Sequence, residues 1–295
     1  MSSCNISRRR LLQAGGAAGI LALGRAAWAD ERKHDAAAYS FGVLNQRSVP
    51  LIAQYWNPIL NYLGTKTGLQ LELKIGRTAP ETTAMALRQE LDFTYSNHLF
   101  WPERAKLGYH VIAAPATDGI RGQIVVLEES PLRSLADLRD VEIAFPSKES
   151  FAGYLLPMDG LIKAGIAVKP IFSGNQEGAM GQLRAGRVAA AAVNSQLMAA
   201  FAAREGLSYR VLWASDLYND IPVMAHERVP AKDRLAVQAA LAGMGDDLEG
   251  KTVLKQVADV WGINKPIPFR KASDADYESY RRFYQTLSPP LVSPE

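Results

Sequence analysis

Residues 39–76 read YSFGVLNQRSVPLIAQYWNPILNYLGTKTGLQLELKIG. Tyr39 to Leu44 alternates like a strand and ends at a polar turn, Asn45-Gln46-Arg47-Ser48. From Pro50 to Thr67 the apolar residues Leu51, Ile52, Tyr55, Trp56, Ile59, Leu60 and Leu63 recur every three or four positions, the spacing of one helix face. Gly68 supplies the stop, and Leu69 to Ile75 then alternates apolar and polar, as a half-buried strand does. A strand, a helix and a strand in so short a span form the repeating unit of a layered α/β fold.

The rhythm continues along the chain. Thr78 and Pro80 mark a helix start, with the helix completed over Thr82 to Glu90, and Leu91 to Tyr95 is a strand leading into Ser96-Asn97-His98. Further strands are expected at 111–114, 123–127, 141–145, 169–172, 189–193, 209–213 and 221–225. Helices are expected at 134–138, from 147 through 157, and from 176 to about 185. The remainder from Ala231 is mostly helical, with amphipathic segments at 234–248 and 277–287. Such alternation predicts largely parallel sheets, with ligand-binding groups beyond the carboxyl ends of the strands, where helix N-termini offer N–H groups.

Charge and composition narrow the function. The 295 residues carry 33 Lys+Arg against 30 Asp+Glu, a formal charge of +3. Residues 1–29 hold Arg8, Arg9, Arg10 and Arg25 and no acid, so 29 bases face 30 acids in the rest. A near-neutral body lacks the basic footprint that nucleic-acid binding needs. The arginines precede a weakly apolar stretch from Leu11 to Gly24, and Ala27-Trp28-Ala29 fits a signal-peptidase site with cleavage before Asp30. Ser7-Arg8-Arg9-Arg10-Leu11-Leu12 resembles a twin-arginine export signal. The apolar stretch is interrupted by Gln13 and several glycines and is too short for a membrane span, so a periplasmic protein is expected, with no membrane-spanning part once the signal is cut. Cys4, the single cysteine, lies inside the signal, leaving no disulfide or thiolate chemistry in the body.

Enzyme motifs are missing. No G-x-G-x-x-G, Walker loop, H-E-x-x-H or G-x-S-x-G occurs, and His34, His98, His110 and His226 have no metal-ligand spacing. Neither a metal nor a cofactor is expected. His98, at a strand end, is either a helix-start residue holding its own backbone or a ligand contact. Asp220 and Glu177 could serve as a carboxylate pair, but nothing in the sequence places them together.

Four regions occur together in a recognisable order: FGVLNQRSVPLIAQYWNPILNYLGTKTG at 41–68, LDFTYSNHLFWPERAKLGYHVIA at 91–113, SFAGYLLPMDGLIKAGI at 150–166, and SGNQEGAMGQLRAGRVAAAAVNS at 173–195 followed by LWASDLYNDIPVMAHERVP at 212–230. Their ordered combination resembles the periplasmic binding proteins of phosphate, phosphite and phosphonate ABC transporters. The resemblance implies a type II fold of two α/β lobes joined by a two-strand hinge. Lobe 1 would comprise 39–121 and 217–295, lobe 2 would comprise 122–216, and the lobes would close on a ligand. It also implies a monomer that hands a small molecule to an ABC permease. The alternatives are an accessory of a membrane sensor kinase and a periplasmic hydrolase.

The expected ligand residues follow from strand ends and helix starts. Lobe 1 would give Gln46, Tyr95, Ser96, Asn97, His98 and Asp220, with Tyr55 and Trp56 in support; lobe 2 would give Ser150, Phe151, Ala152, Gly153, Asn175 and Asn194. Arg47, Arg77 and Arg121 are cationic reserves. Where the family carries the hydroxyl cluster S-T-S-G, this chain has Ser150-Phe151-Ala152-Gly153, and Asn175 stands where many relatives have histidine. Phe151 would make that wall apolar, which favours a small anion bearing an organic group over bare phosphate.

Overall fold

A computed structural model describes residues 38–291. The export signal expected over 1–29 lies outside them. The chain begins with β1 (Tyr39–Val43), α1 (Val49–Thr67), β2 (Leu71–Lys74), α2 (Ala79–Leu87), β3 (Phe93–Tyr95) and β4 (Tyr109–Pro115). It then builds a second layer system from β5 (Gly122–Leu127), β6 (Glu142–Phe145), α3 (Leu156–Lys163), β7 (Lys169–Phe172), α4 (Gln176–Arg184), β8 (Ala190–Asn194), α5 (Ser195–Glu205) and β9 (Tyr209–Ala214). It returns through β10 (Val223–His226), α6 (Ala231–Gly243), α7 (Leu248–Trp261), β11 (Phe269–Lys271) and α8 (Glu278–Gln285).

Two sheets result, ordered β11-β4-β10-β3-β1-β2 and β7-β6-β8-β5-β9. Each has a parallel half, β2-β1-β3 in one and β7-β6-β8 in the other. The expectation of largely parallel sheets needs correction, because the strands next to the crossings run antiparallel: β10 against both β3 and β4, and β5 against both β8 and β9. A strand entering a sheet from the other lobe arrives from the opposite end, so it pairs head to tail with the strands already there.

The helix ends follow the sequence chemistry. Gly68 closes α1 at φ 71°, a left-handed conformation that costs glycine little, and its N–H bonds the Gly64 carbonyl. Thr78 caps α2 by accepting the Glu81 N–H. Two boundaries differ from the periodicity. The amphipathic stretch at 234–248 is cut by a break before Asp247, whose carboxylate accepts the Gly250 N–H and starts α7. The helix expected from 147 begins only at Phe151, as a π-helical turn over Phe151–Leu155 that feeds α3; residues 147–150 remain a loop.

Each sheet is covered on both faces. In the first lobe, Phe41, Trp56 and Phe93 pack with Ile52, Ile59 and Leu63 of α1 and with Leu241 and Val257 of α6 and α7. Neighbouring Gly42 faces the opposite side, where a Cβ would sit 2.2 Å from Leu91 Cδ1. In the second lobe, Ile124, Val126, Ile143 and Phe145 pack on one face while Val125, Ala144 and Val193 pack on the other, the alternation that a pleated sheet imposes.

Two antiparallel segments cross between the sheets. Ile120 and Tyr218 form a backbone bridge, the Ser215 N–H bonds the Gly122 carbonyl, and the Arg121 guanidinium donates to the Ser215 carbonyl at 2.6 Å. A third link comes from the C-terminal segment. Phe151, Leu155 and Leu156 of the second lobe join an aromatic cluster with Tyr277, Tyr280, Phe283 and Tyr284. The Phe151 ring stacks on Tyr280 at 4.1 Å, and Asp159 accepts hydrogen bonds from the backbone and hydroxyl of Ser288. Phe151→Ala is therefore expected to lower the unfolding free energy by about 3–5 kcal/mol in urea denaturation. A loss near 0.5 kcal/mol, roughly that of a surface substitution, would contradict this packing.

Candidate functional site

The parallel strands β6, β7 and β8 bring three helix starts to one edge of the second sheet. Ser150 Oγ accepts the Gly153 N–H at 3.2 Å, Asn175 Oδ1 accepts the Gly178 N–H at 2.8 Å, and Asn194 Oδ1 accepts those of Gln196 and Leu197 at 2.9 and 3.3 Å. Each is an N-cap, the role that Ser and Asn play best. One buried side chain ties the three starts together. Gln176 donates from Nε2 to Ser150 Oγ at 3.1 Å and accepts the Asn194 N–H on Oε1 at 3.0 Å. The fit leaves no room at Gly153, where a Cβ would lie 2.6 Å from Gln176 Nε2 and from Pro146 Cγ.

The caps decide which polar groups remain free. Ser150 Oγ already accepts twice, so its proton is left to donate outward. Asn175 and Asn194 use their oxygens as caps, which leaves both amide nitrogens as donors. The N–H groups of Phe151 and Ala152, first in their helix, have no partner among the described residues. This edge is therefore lined with hydrogen-bond donors and carries the partial positive charge of helix N-termini.

The facing edge belongs to the first sheet, at the carboxyl ends of β1, β2 and β3. Asn45 joins two of its loops: Nδ2 donates to the Gly76 carbonyl at 2.9 Å, and Oδ1 accepts from Thr82 Oγ1 at 2.6 Å. His98 is buried, with Nδ1 2.8 Å from Thr83 Oγ1 and 3.4 Å from Glu149 Oε2 of the second lobe. Arg104 donates to the His98 carbonyl at 2.6 Å and reaches Glu149 Oε1 at 3.2 Å. Burial pushes the Glu149 pKa up, but His98 and Arg104 outweigh it and hold the carboxyl at about 2.

Between the two edges lies a cavity of about 30 Å³. That volume is the space open to the centre of a water molecule, so the group it can hold is larger. Of the residues expected from sequence, Gln46, Asn97, His98, Ser150, Phe151, Ala152, Asn175 and Asn194 line it. Tyr55, Tyr95 and Asp220 instead line an adjoining, larger cleft that shares Gln46 and Asn194 with the cavity. Desolvation pushes the buried Asp220 carboxyl up to about 6, despite bonds from the Ile221 N–H and Thr117 hydroxyl.

Three of the expected residues line neither space. Trp56 is fully buried among Phe41, Tyr95 and Phe269, so the helical periodicity marked a core residue. Ser96 accepts the His98 N–H, and Gly153 donates to Ser150. The Phe151 ring is 1% exposed and held by the C-terminal aromatics, so the expected apolar wall facing a ligand is corrected: the ring packs between the lobes. Of the cationic reserves, Arg77 is exposed and Arg121 braces the crossing. Arg47 is buried, 4.8 Å from the Trp261 ring centroid and 3.7 Å from Glu177.

Sequence reasoning missed Gln176, Asn45, Ser147 and Glu149. Gln176 directly follows a cap and Asn45 directly precedes Gln46, but the partners that define their roles are far away in the chain. Among the described residues no group of three or more His, Cys, Asp or Glu side chains could hold a metal ion. No described helix is long and apolar enough to cross a membrane.

Two α/β lobes meeting at the carboxyl ends of their parallel strands, around a small donor-lined cavity, define a bilobal binding protein. Residues 41–277 match the family model for the periplasmic substrate-binding protein of phosphonate ABC transporters, and the chain belongs to that family. The fold is similar to PhnD1 of Prochlorococcus marinus, solved in complex with methylphosphonate, at TM-score 0.71 and 18% identity over 84% of this chain and 97% of that one. It is also similar to a binding protein of a phosphonate ABC transporter from Pseudomonas aeruginosa, at TM-score 0.69 and 16% identity over 83% and 84% of the two chains. The alkanesulfonate-binding protein SsuA of Xanthomonas axonopodis pv. citri, bound to MOPS, aligns at TM-score 0.63 and 16% identity over 88% and 95%. No curated protein matches in sequence. The type II architecture expected from the sequence is thus the one found.

The sign of the Glu149 shift gives a test. A carboxyl depressed from 4.5 to about 2 stabilises the folded state above its unfolded pKa, and that contribution is lost as pH falls through about 2. Glu149→Gln is expected to cost up to about 3 kcal/mol at neutral pH. In urea unfolding the gap from wild type should narrow below pH 4.5 and close near 2. A gap that stays constant over that range would show that His98 and Arg104 do not hold the charge.

Proposed function

We propose that the chain captures a small tetrahedral oxyanion in the cavity between its lobes and presents it to the permease of an ABC transporter. The observation that carries this reading is the donor edge. Three helix starts are locked together by Gln176, and their free groups, the Ser150 hydroxyl, the Asn175 and Asn194 amides and two backbone N–H groups, are all donors. Among the described residues, no Asp, Glu, Lys or Arg side chain lines the cavity. An anion would be held chiefly by oriented dipoles, an arrangement that helix N-termini make possible. The cavity size suits a head group carrying at most a small substituent, and the methylphosphonate complex of PhnD1 supports the same scale.

Closure would occur by bending at the crossings near Arg121-Gly122 and Ser215–Leu217, with lobe 1 formed by 39–121 and 217–295 and lobe 2 by 122–216. The twin-arginine-like leader would carry the chain to the periplasm. A thermal-shift panel of methylphosphonate, ethylphosphonate, phosphite and phosphate tests the reading. A true ligand stabilises the protein by about 2.7 kcal/mol at one hundred times its Kd. At least one of these anions should raise Tm in proportion to the logarithm of its concentration. If none does, even at millimolar concentration, oxyanion capture is wrong.

A further inference from the structure

One ring of the first lobe lines the cavity, and the second lobe reaches across to hold it. His98 is 2% exposed, and its Nδ1 lies 2.8 Å from Thr83 Oγ1 and 3.4 Å from Glu149 Oε2 of the second lobe. That Oε2 is sealed from water and makes no hydrogen bond among the described residues, while Arg104 occupies Oε1 at 3.2 Å. A buried carboxylate oxygen is repelled by a nitrogen lone pair and satisfied by an N–H. The contact therefore places a proton on Nδ1, whose hydrogen bond Thr83 Oγ1 can accept while Glu149 supports the charge. The other ring nitrogen, Nε2, has no partner among the described residues and is not sealed from water, so it opens on the cavity that the ring lines. With Nδ1 protonated, a neutral ring would present the Nε2 lone pair there, an acceptor set against the oxygens of an anion.

We propose that the site takes up a proton with its anion and holds it on His98, Nε2–H donating to a ligand oxygen and Nδ1–H turned to Glu149. The inference rests on the oxyanion reading above. The imidazolium would place a formal positive charge opposite the donor edge of the second lobe. Thr83 fixes the ring from its own lobe. Glu149 is the positioning residue: its carboxyl, held at about 2, stays charged and reaches the ring only across the lobe boundary, which ties proton uptake to closure. The other ionisable groups around the contact are Arg104, which binds both Glu149 and the His98 carbonyl, and the Tyr284 phenol, which burial keeps protonated. Affinity should therefore fall as pH rises through the range in which free histidine loses its proton.

Calorimetric titration of the four anions of the thermal-shift panel tests this, at slightly alkaline pH and in buffers of different ionisation enthalpy, where the change in heat counts the protons bound. The titration of the anion itself contributes in every variant, so the difference between variants reports the ring. Wild type should take up about one proton more than His98→Gln. Glu149→Gln keeps the ring and should lose most of that excess, with binding weakened about tenfold. A measurement on wild type alone covers the case in which a buried variant fails to fold: with histidine labelled by nitrogen-15, one of the four imidazoles should pass to the doubly protonated form when the anion is added. Equal proton uptake in wild type and His98→Gln, an excess undiminished in Glu149→Gln, or no imidazole that changes on binding would overturn the proton-linked capture while leaving oxyanion capture intact. Binding of none of the four anions by wild type would overturn both.

Discussion

The arrangement of the site depends on the side-chain amide of Gln176. One carboxamide donates to Ser150 and accepts from Asn194, and it stands at the first position of α4. Three helices that arise from three different strand ends are thereby held at fixed spacing. The requirement reaches into the neighbouring chain: Gly153 must be a glycine because any Cβ would enter the space that the amide nitrogen occupies. It also sets the polarity of the edge. With the oxygens of Ser150, Asn175 and Asn194 committed to caps, the polar groups these side chains have left are donors. An edge built this way is selective by orientation, and its strength lies in how little it can rearrange.

The two lobes touch through ionic contacts on either side of the cavity. His98 and Arg104 meet Glu149 on one side, and Arg47 approaches Glu177 on the other, where Arg204 also binds the same carboxylate at 3.0 Å. Arg47 is buried, and desolvation lowers its pKa against the pull of Glu177. Buried pairs of this kind gain little over an apolar pair of the same shape because desolvation opposes the attraction, although removing one partner is costly. Their value here is directional: Glu149 meets His98 and Arg104 only when the lobes are in register.

Local chemistry was legible in the sequence, and so was the family. The strand at Tyr39–Val43, the helix closed by Gly68 and the caps at Thr78 and Asn175 all stand where the periodicity and the turn residues indicate. What could not be read were pairings between distant segments. Trp56 carries the same helical spacing as a ligand-facing residue, and only the packing against Phe41, Tyr95 and Phe269 separates the two. Glu149 falls within the helix expected from Ser147, whereas its contact with His98 belongs to the loop that forms there instead. Phe151 stood in for a missing hydroxyl and invited a ligand-facing role, whereas its ring answers to aromatics more than one hundred residues later in the chain. The antiparallel strands of both sheets share that origin, since nothing in a single strand's composition reports which end of a sheet it enters.

The C-terminal aromatic segment bears on how the protein is made. Phe151, Leu155 and Leu156 belong to the second lobe, and their cover is Tyr277, Tyr280, Phe283 and Tyr284. The second lobe can form its sheet as soon as β9 has left the ribosome, but the C-terminal part of this face's cover is then not yet made. That part is missing throughout the synthesis of β10, α6 and α7. The same face begins the helix whose first N–H groups line the cavity. A nascent chain therefore holds an exposed sticky surface next to an unfinished binding edge, and both are completed by the same late event, the docking of α8.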